Sequence, residues 1–239
     1  MTDGAAARRL TDQGKERKQQ LLDQAAVLFA ERGYADTRVI DICAAAGVAK
    51  GLFYWYFENK HALFAELVRS MRVRLRVAQA AAMDPDADPL VRIRQGTEAS
   101  VRFMAQHRAF FALLEVEQRA NEAEPIGEAA ELRRLGFRPL SGRNETVPQH
   151  SGRTHSRNLN VSGLLREGTE VHVADIAVLI KEAQAVGQVP EDRDPQLLAL
   201  GVMGAVAHFS HFHRSGRVVM NVDDLARFVG EWVTAALAG

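Results

Sequence analysis

Apolar residues recur along this chain at the three- and four-residue spacing of amphipathic helices, and no segment of any length alternates with the two-residue period of a β-strand. The first helix is predicted from about Lys15 to Arg32, with Gly33 at its end. A longer helix is predicted from Lys60 toward Met83. Both carry an apolar stripe that faces a core: Leu21, Leu22, Ala25, Leu28 and Phe29 on the first, and Leu63, Phe64, Leu67 and Val68 on the second. The pattern predicts an all-α fold.

The rest of the chain also has a helical pattern, with one interruption. After a proline- and aspartate-rich break at 84–89, two helices are predicted up to about Asn121. Residues 137–163 are polar, contain glycine and proline, and are predicted to be a long loop. Three further helices are predicted, from about Val171, from Pro195 and after Asn221. The second of these three is apolar on nearly every side, which indicates burial in a core or against another subunit.

A short helix, a glycine turn and a second short helix are predicted at residues 38–57. Val39, Ile42 and Cys43 form one apolar stripe on the first helix. Thr37 precedes this helix, and its hydroxyl is predicted to cap it. Gly47 lies where the helix must end, because glycine adopts the left-handed backbone conformation without penalty.

Three consecutive aromatic residues, Tyr54, Trp55 and Tyr56, lie on the second short helix. Consecutive helical positions point in three directions, so at least one large ring with a polar tip must face solvent. In a helix-turn-helix unit the second helix lies in the major groove of DNA. The motif therefore favours a DNA-binding function.

These residues resemble the N-terminal domain of the tetracycline-repressor (TetR) family. The resemblance covers roughly residues 15–75 and rests on Gly33, Thr37, Asp41-Ile42, Ala46-Gly47-Val48, Lys50-Gly51, Tyr54, Tyr56-Phe57 and Lys60. Two residues depart from the family pattern. Arg38 stands where a second Ser or Thr is frequent, and Leu52 stands where Thr or Ser is common at the groove, so the base preference is expected to differ.

The resemblance implies a sequence-specific transcriptional regulator, most often a repressor, that binds a palindromic operator as a homodimer and releases it when a small, largely apolar effector binds. It divides the chain into a basic flexible arm at 1–14, a DNA-binding domain at 15–75 and an effector-binding and dimerisation domain at 76–239. The expected DNA contacts are Arg17, Lys18, Thr37, Arg38, Ala49, Lys50, Gly51, Leu52, Tyr54, Trp55, Tyr56 and Lys60.

The charge distribution supports a nucleic-acid partner although the formal net charge is zero. Residues 1–76 contain 13 Lys and Arg against 9 Asp and Glu, whereas the remaining residues contain 17 against 21. The positive charge is concentrated ahead of the first helix and at its start, where it is expected to attract phosphate. Cys43 is the only cysteine, and no N-terminal secretory segment is present, which favours a reducing cytoplasm.

Two further sites are predicted in the C-terminal part. An effector pocket is expected on the helices in the middle of the chain, lined by Phe103, Met104, His107, Phe110, Phe111, Leu114, Glu115, His172 and Ile176. The dimer contact is expected on the last two helices, at Gly201, Gly204, His208, Phe228 and Trp232, because small residues permit close helix approach.

Other functions remain open at this stage. His208, His211 and His213 are close enough in sequence to share a metal ion, with an interface or helix-end role as the alternative. An all-α binding protein or enzyme with a vestigial motif is the alternative class. The sequence contains no phosphate-binding glycine loop and no nucleophile elbow, so neither a cofactor nor catalysis is expected.

Overall fold

The computed structural model describes the backbone of residues 3–122 and 161–239, and the side chains of residues 13–117 and 169–239. The described residues are all-α, with no strand among them, as the apolar pattern predicts. The helices are α1 Asp3–Arg32, α2 Val39–Ala45, α3 Lys50–Tyr56, α4 Lys60–Ala82, α5 Pro89–Gln106, α6 Arg108–Glu122, α7 Val161–Ala185, α8 Pro195–Arg214 and α9 Val222–Ala238.

Two of the predicted segments differ from the observed backbone. The arm at 1–14 was expected to be flexible, but α1 is helical from Asp3, in a segment that contains three Ala, two Arg and no proline. The loop predicted at 137–163 lies outside the described residues except for its last three positions, which form the first turn of α7. The predicted starts of α4, α8 and α9 and the predicted end of α4 agree with the observed helices to within one or two residues.

The apolar stripe of α1 packs in a first core cluster with α2, α3 and α4. Its fully buried side chains include Phe29, Phe53 and Phe64, with edge contacts between Phe29 and Phe64 at 5.7 Å between ring centroids. Residues from the end of α5 and from α6 complete this cluster: Phe103, Phe110, Leu113 and Leu114. The core under α1–α4 therefore depends on side chains that come more than 20 residues after α4 ends.

The second core cluster joins α5, α7, α8 and α9. Helix α9 lies close to α5 at Gly230, where an added Cβ would lie 2.9 Å from Glu98 Cγ and 3.0 Å from Arg94 Cγ. Only glycine fits there without displacing α5. The predicted domain boundary at 75–76 falls inside α4, whose first turns belong to the first cluster and whose last turns face the helices of the second.

Within the part of the chain that the structure describes, no single helix is long and apolar enough to cross a membrane.

Candidate nucleic-acid interface and effector cavity

The helix-turn-helix segment is built from α2, a glycine turn and α3. The chain direction changes by 106° between the two helices, within the range of about 90–120° that this motif uses. Gly47 makes the turn with φ of +64°, a backbone conformation that residues other than glycine rarely adopt. Val48 follows the turn and packs against the first core cluster. The expected role of Gly47 is confirmed by its backbone angle.

Asp41, rather than Thr37, caps α2. The Asp41 carboxylate accepts from the Arg38 backbone N–H at 3.2 Å and from the Arg38 guanidinium at 2.9 Å through both Nε and Nη2. The hydrogen bond from Arg38 holds the pKa of the Asp41 carboxyl below its usual value. Arg38 itself keeps an exposed side chain, at 75%, on the surface of the motif.

Thr37 is fully buried, and its hydroxyl donates to the carbonyls of Gly33 at 2.8 Å and Leu28 at 3.2 Å. The prediction that Thr37 caps α2 is therefore wrong, and its contact with DNA stays a prediction. Its side chain instead ties the end of α1 to the loop before α2, because a buried hydroxyl must find a partner.

The outer face of α3 presents most of the predicted groove residues to solvent. Ala49, Lys50 and Gly51 are exposed at its N-terminus, and Leu52 is half-buried. Trp55 is 75% exposed and Tyr54 50% exposed, while Phe53, directly before them in the sequence, is fully buried. Lys50 Nζ lies 5.8 Å from the centroid of the Tyr54 ring. One cation and two large rings with hydrogen-bonding tips thus stand together on a surface that is not needed for packing.

Tyr56 does not share this exposed face. Its hydroxyl donates to the backbone carbonyl of Gly14 at 2.8 Å, and its ring packs against the first core cluster. The prediction that Tyr56 contacts DNA is not supported by this position, because its polar tip is already bonded to α1. Its side chain joins α3 to α1.

Lys60 was expected to bind phosphate at the start of α4, but its ammonium group faces the protein. Nζ donates to the carbonyls of Tyr34 at 2.6 Å, Thr37 at 2.7 Å and Ala35 at 3.2 Å, and it lies 4.2 Å from the Tyr34 ring centroid. Burial lowers its pKa. All three donors of the ammonium are used within the protein, and the phosphate contact stays a prediction.

The two basic residues predicted on α1 also have partners in the protein. Lys18 Nζ donates to Glu66 of α4 at 2.5 Å, and this contact lowers the pKa of the Glu66 carboxyl. Its role as a phosphate contact stays a prediction. Arg17 donates only to Gln20 on its own helix, at 3.0 Å, and remains on the surface.

A cavity of about 790 Å³ lies between α4, α5, α7 and α8. Four of the nine predicted pocket residues line it: Met104, Phe111, His172 and Ile176. The volume falls in the range of about 300–1,000 Å³ of small-molecule sites. Its walls are mostly aliphatic, and its polar groups come chiefly from Arg76 and Gln79 of α4 and Ser100 of α5.

The other five predicted pocket residues lie outside the cavity lining. Phe103, Phe110 and Leu114 are buried in the first core cluster, and the His107 ring stacks at 4.3 Å on Phe103. The Glu115 carboxylate is paired with His211 and Arg214 of α8. Sequence reasoning missed the contribution of α4; the exposed apolar pair Val73 and Val77, four residues apart, was a signal for it.

The three histidines of α8 have three different partners. His211 Nδ1 lies 2.9 Å from Glu115 Oε2, His213 Nε2 lies 2.9 Å from the Met220 carbonyl, and His208 Nδ1 lies 3.2 Å from the Gly204 carbonyl. Among the described residues, no group of three or more His, Cys, Asp or Glu is placed to hold a metal ion.

The outer surface of α8 and α9 is apolar and uncovered. A Cβ added at Gly201 or Gly204 would meet no atom within 4 Å. Around these glycines Leu197 is 69% exposed, Trp232 48% and Phe228 45%, and His208 is exposed as well. The opposite face of α8 is buried in the second cluster, so the apolar residues of this helix divide between one internal and one external face.

The fold and the motif define an all-α helix-turn-helix protein with a helical C-terminal part. Residues 21–67 match the family described as "Bacterial regulatory proteins, tetR family". The chain is 28% identical over 136 residues to the "Probable acrEF/envCD operon repressor" of Escherichia coli, covering 56% of this chain and 62% of that protein. It is 32% identical over 117 residues to the "HTH-type transcriptional repressor KstR2" of Mycobacterium tuberculosis, covering 49% of this chain and 58% of that protein.

The solved structure of the fatty acid degradation regulator FadR from Bacillus halodurans superposes with a TM-score of 0.66 and 16% identity, covering 91% of this chain and 94% of that one. At 16% identity the superposition shows similarity of fold alone. Residues 21–67 therefore carry the N-terminal domain of the tetR family of bacterial regulatory proteins. The matches to the two repressors span less than two thirds of the length of each.

Proposed function

We propose that this protein is a dimeric, sequence-specific DNA-binding transcriptional regulator, acting as a repressor that a small molecule releases from its operator. The observation that carries the proposal is the outer face of α3, where Lys50, Tyr54 and Trp55 stand exposed on a helix whose opposite side is locked into the core. A helix so presented fits the major groove, with its N-terminal residues nearest the bases.

The proposed base contacts come from the exposed residues of α3 and from half-buried Leu52. Lys50 suits a guanine edge and the rings of Tyr54 and Trp55 suit apolar and hydrogen-bonding contacts, while half-buried Leu52 can meet a thymine methyl group. Arg38 and Arg17, which are bonded to side chains on their own segments but remain accessible, are the proposed phosphate contacts. Thr37, Tyr56 and Lys60 hold the unit together instead.

A dimer is proposed because one short helix reads only a few base pairs. A two-fold pair reads two half-sites about 34–36 Å apart, one turn of the duplex. The uncovered apolar surface of α8 and α9, around Gly201 and Gly204, is the proposed subunit contact. Closed two-fold symmetry requires such a self-complementary patch.

The proposed release mechanism is a population shift along α4. This helix has 23 residues and is therefore about 34 Å long. Its start carries Lys60, bonded to the loop before α2, and its later turns carry Arg76 and Gln79 on the cavity wall. An effector that binds better to a conformation with a different spacing of the two α3 helices lowers operator affinity by that difference in binding free energy.

The proposal is tested by selecting bound duplexes from a random DNA pool with the full chain. The expected result is enrichment of a palindrome, retarded in a gel by the protein but not when its half-sites are scrambled. A small-molecule library is then screened for release of that DNA. If the pool shows no enrichment while the protein is folded, the chain is an all-α binding protein or enzyme of the alternative class.

A further inference from the structure

The polar groups of the cavity form one compact set in an otherwise aliphatic wall. Gln79 Nε2 donates to Ser100 Oγ at 2.8 Å and lies 3.4 Å from His172 Nε2, and Ser100 donates in turn to the Gly96 carbonyl at 2.7 Å. The set joins three helices, since Gln79 is on α4, Ser100 on α5 and His172 on α7. The Ser100 hydroxyl is therefore committed to its neighbours.

Two hydrogen-bonding atoms of this set remain available. Within the described part of the chain, the recorded hydrogen bonds use neither Gln79 Oε1 nor His172 Nδ1. Burial first, and the charge of Arg76 second, lower the pKa of His172, which keeps its ring neutral at pH 7. With Nε2 facing the amide N–H of Gln79, the ring proton lies on Nδ1. One acceptor and one donor thus belong to two neighbouring side chains of the cavity lining.

The charged side chains of the cavity wall are neutralised within the protein. Arg76 is paired with Asp175, and Arg92 Nη1 donates to Glu182 at 2.7 Å. The Arg92 Nε atom is buried and has no partner among the described residues, but the charge of the same guanidinium is paired with Glu182 through Nη1. A charged ligand would have to give up its hydration without gaining a free counter-charge, which is costly.

We propose that the cavity binds an uncharged amphiphile whose hydroxyl group lies between Gln79 and His172 and whose apolar body extends along the aliphatic walls of α5 and α8. This inference rests on the proposed function, in which the cavity is the effector site. A hydroxyl donates once and accepts at the same atom, so it satisfies Gln79 Oε1 and His172 Nδ1 together. A carboxylate could not donate to the amide oxygen, and an ammonium could not accept from the ring.

The test is isothermal titration calorimetry of the full chain at pH 7.5 with four probes of one chain length: 1-decanol, decyl methyl ether, decanoate and decylammonium. The expected result is that decanol binds at least about tenfold tighter than either charged probe, and about fivefold tighter than the ether, which cannot donate. Equal or tighter binding of decanoate or decylammonium would overturn the proposal, as would no binding of decanol.

Variants locate the site. Gln79→Leu and His172→Phe are each expected to remove the preference for decanol over the ether, with melting temperature measured alongside to establish folding. Ala207→Trp, at an exposed position that lines the cavity, should abolish binding of all four probes. Val219→Trp, at a position 96% exposed between α8 and α9, is the matched control and should bind as the unchanged protein. A preference that survives both Gln79→Leu and His172→Phe would place the hydroxyl elsewhere and refute the assignment.

The DNA selection described above separates this inference from the proposed function. If a palindrome is enriched but decanoate binds more tightly than decanol, the uncharged ligand class is refuted and the proposed regulator function stands. Decanol-selective binding with no enriched DNA leaves the ligand class standing and overturns the regulator.

Discussion

On α3 three consecutive aromatic side chains, each with a polar tip, occupy different environments. Trp55 is 75% exposed and Tyr54 50% exposed, whereas the Tyr56 hydroxyl is bonded to Gly14 on α1. The sequence indicated that the three rings must diverge, since consecutive helical residues point in different directions. It did not indicate which ring faces inward, because that depends on where α1 crosses α3.

Trp55→Ala is expected to weaken binding to the selected operator by about 1–3 kcal/mol, the usual value of a base-edge contact, and to leave thermal stability almost unchanged. Tyr56→Phe should do the reverse, with normal operator affinity and a loss of about 1 kcal/mol in the free energy of unfolding from the missing hydrogen bond. Fluorescence anisotropy with labelled operator and denaturant titration measure the two quantities. A Trp55→Ala protein that binds normally would remove this ring from the proposed interface.

Lys60→Met is expected to lower the free energy of unfolding by about 1–3 kcal/mol, because the carbonyls of Tyr34, Ala35 and Thr37 lose their shared donor. Met keeps the aliphatic stem, so the change isolates the ammonium. The salt dependence of operator binding should keep its slope, since the ammonium does not reach phosphate. If the slope instead falls by one phosphate contact while stability is unchanged, Lys60 turns outward when DNA binds. Lys15→Met, at an exposed position, serves as the control for lost surface charge.

At the scale of the elements, the α2–α3 unit depends on its turn and on its caps. The Gly47 turn with positive φ and the Asn59 side chain, which accepts from the Ala62 N–H at 2.8 Å at the start of α4, are local features that sequence reveals. The capping of α2 by Asp41 instead of Thr37 is not local. The Thr37 hydroxyl is buried and donates to a carbonyl near the end of α1, so it does not cap α2. The Asp41 carboxylate accepts from the Arg38 N–H instead.

Gly47→Val is expected to destabilise the protein by about 1–2 kcal/mol, since a β-branched residue resists the left-handed backbone conformation at φ of +64°. The angle between α2 and α3 should change with it, so operator affinity should fall although no proposed contact residue is altered. Chemical denaturation and anisotropy report the two effects. Gly51→Ala is the control for stability, because this helical glycine has open space at its Cβ. If Gly47→Val is no less stable than Gly51→Ala, the turn does not require glycine.

For the whole molecule, the two core clusters share α5, and α6 contributes both to the first cluster and to the cavity wall. Phe103 and Phe110 complete the core beneath the helix-turn-helix unit, while Phe111, one residue further along α6, lines the cavity. Helix α6 therefore contacts both the core of the helix-turn-helix unit and the cavity. A structural link of this kind gives the proposed effector a physical route to α3 through packed side chains rather than through one flexible hinge.

Gly204→Phe is expected to convert the proposed dimer to monomers, because the large ring would overpack a two-fold contact at a cost of about 1–3 kcal/mol for each subunit. Operator affinity should fall sharply although the α3 surface is untouched. Analytical ultracentrifugation measures the assembly state. Val219→Phe, at the 96% exposed position, adds the same ring away from the patch and should remain dimeric. A dimeric Gly204→Phe protein would place the interface elsewhere.

The sequence by itself determined the features that depend on neighbouring residues: the helical period, the turn at Gly47 and the breaks at 84–89 and after α8. These features are short-range, so their physical causes are all present in a few consecutive positions. Only the tertiary structure decided which polar side chains form hydrogen bonds within the protein. Lys18, Thr37, Tyr56 and Lys60 find partners 9 to 48 residues away in the chain. The same is true of the cavity, whose wall combines α4 and α5 with α7 and α8, because packing across such distances leaves no periodic trace in the sequence.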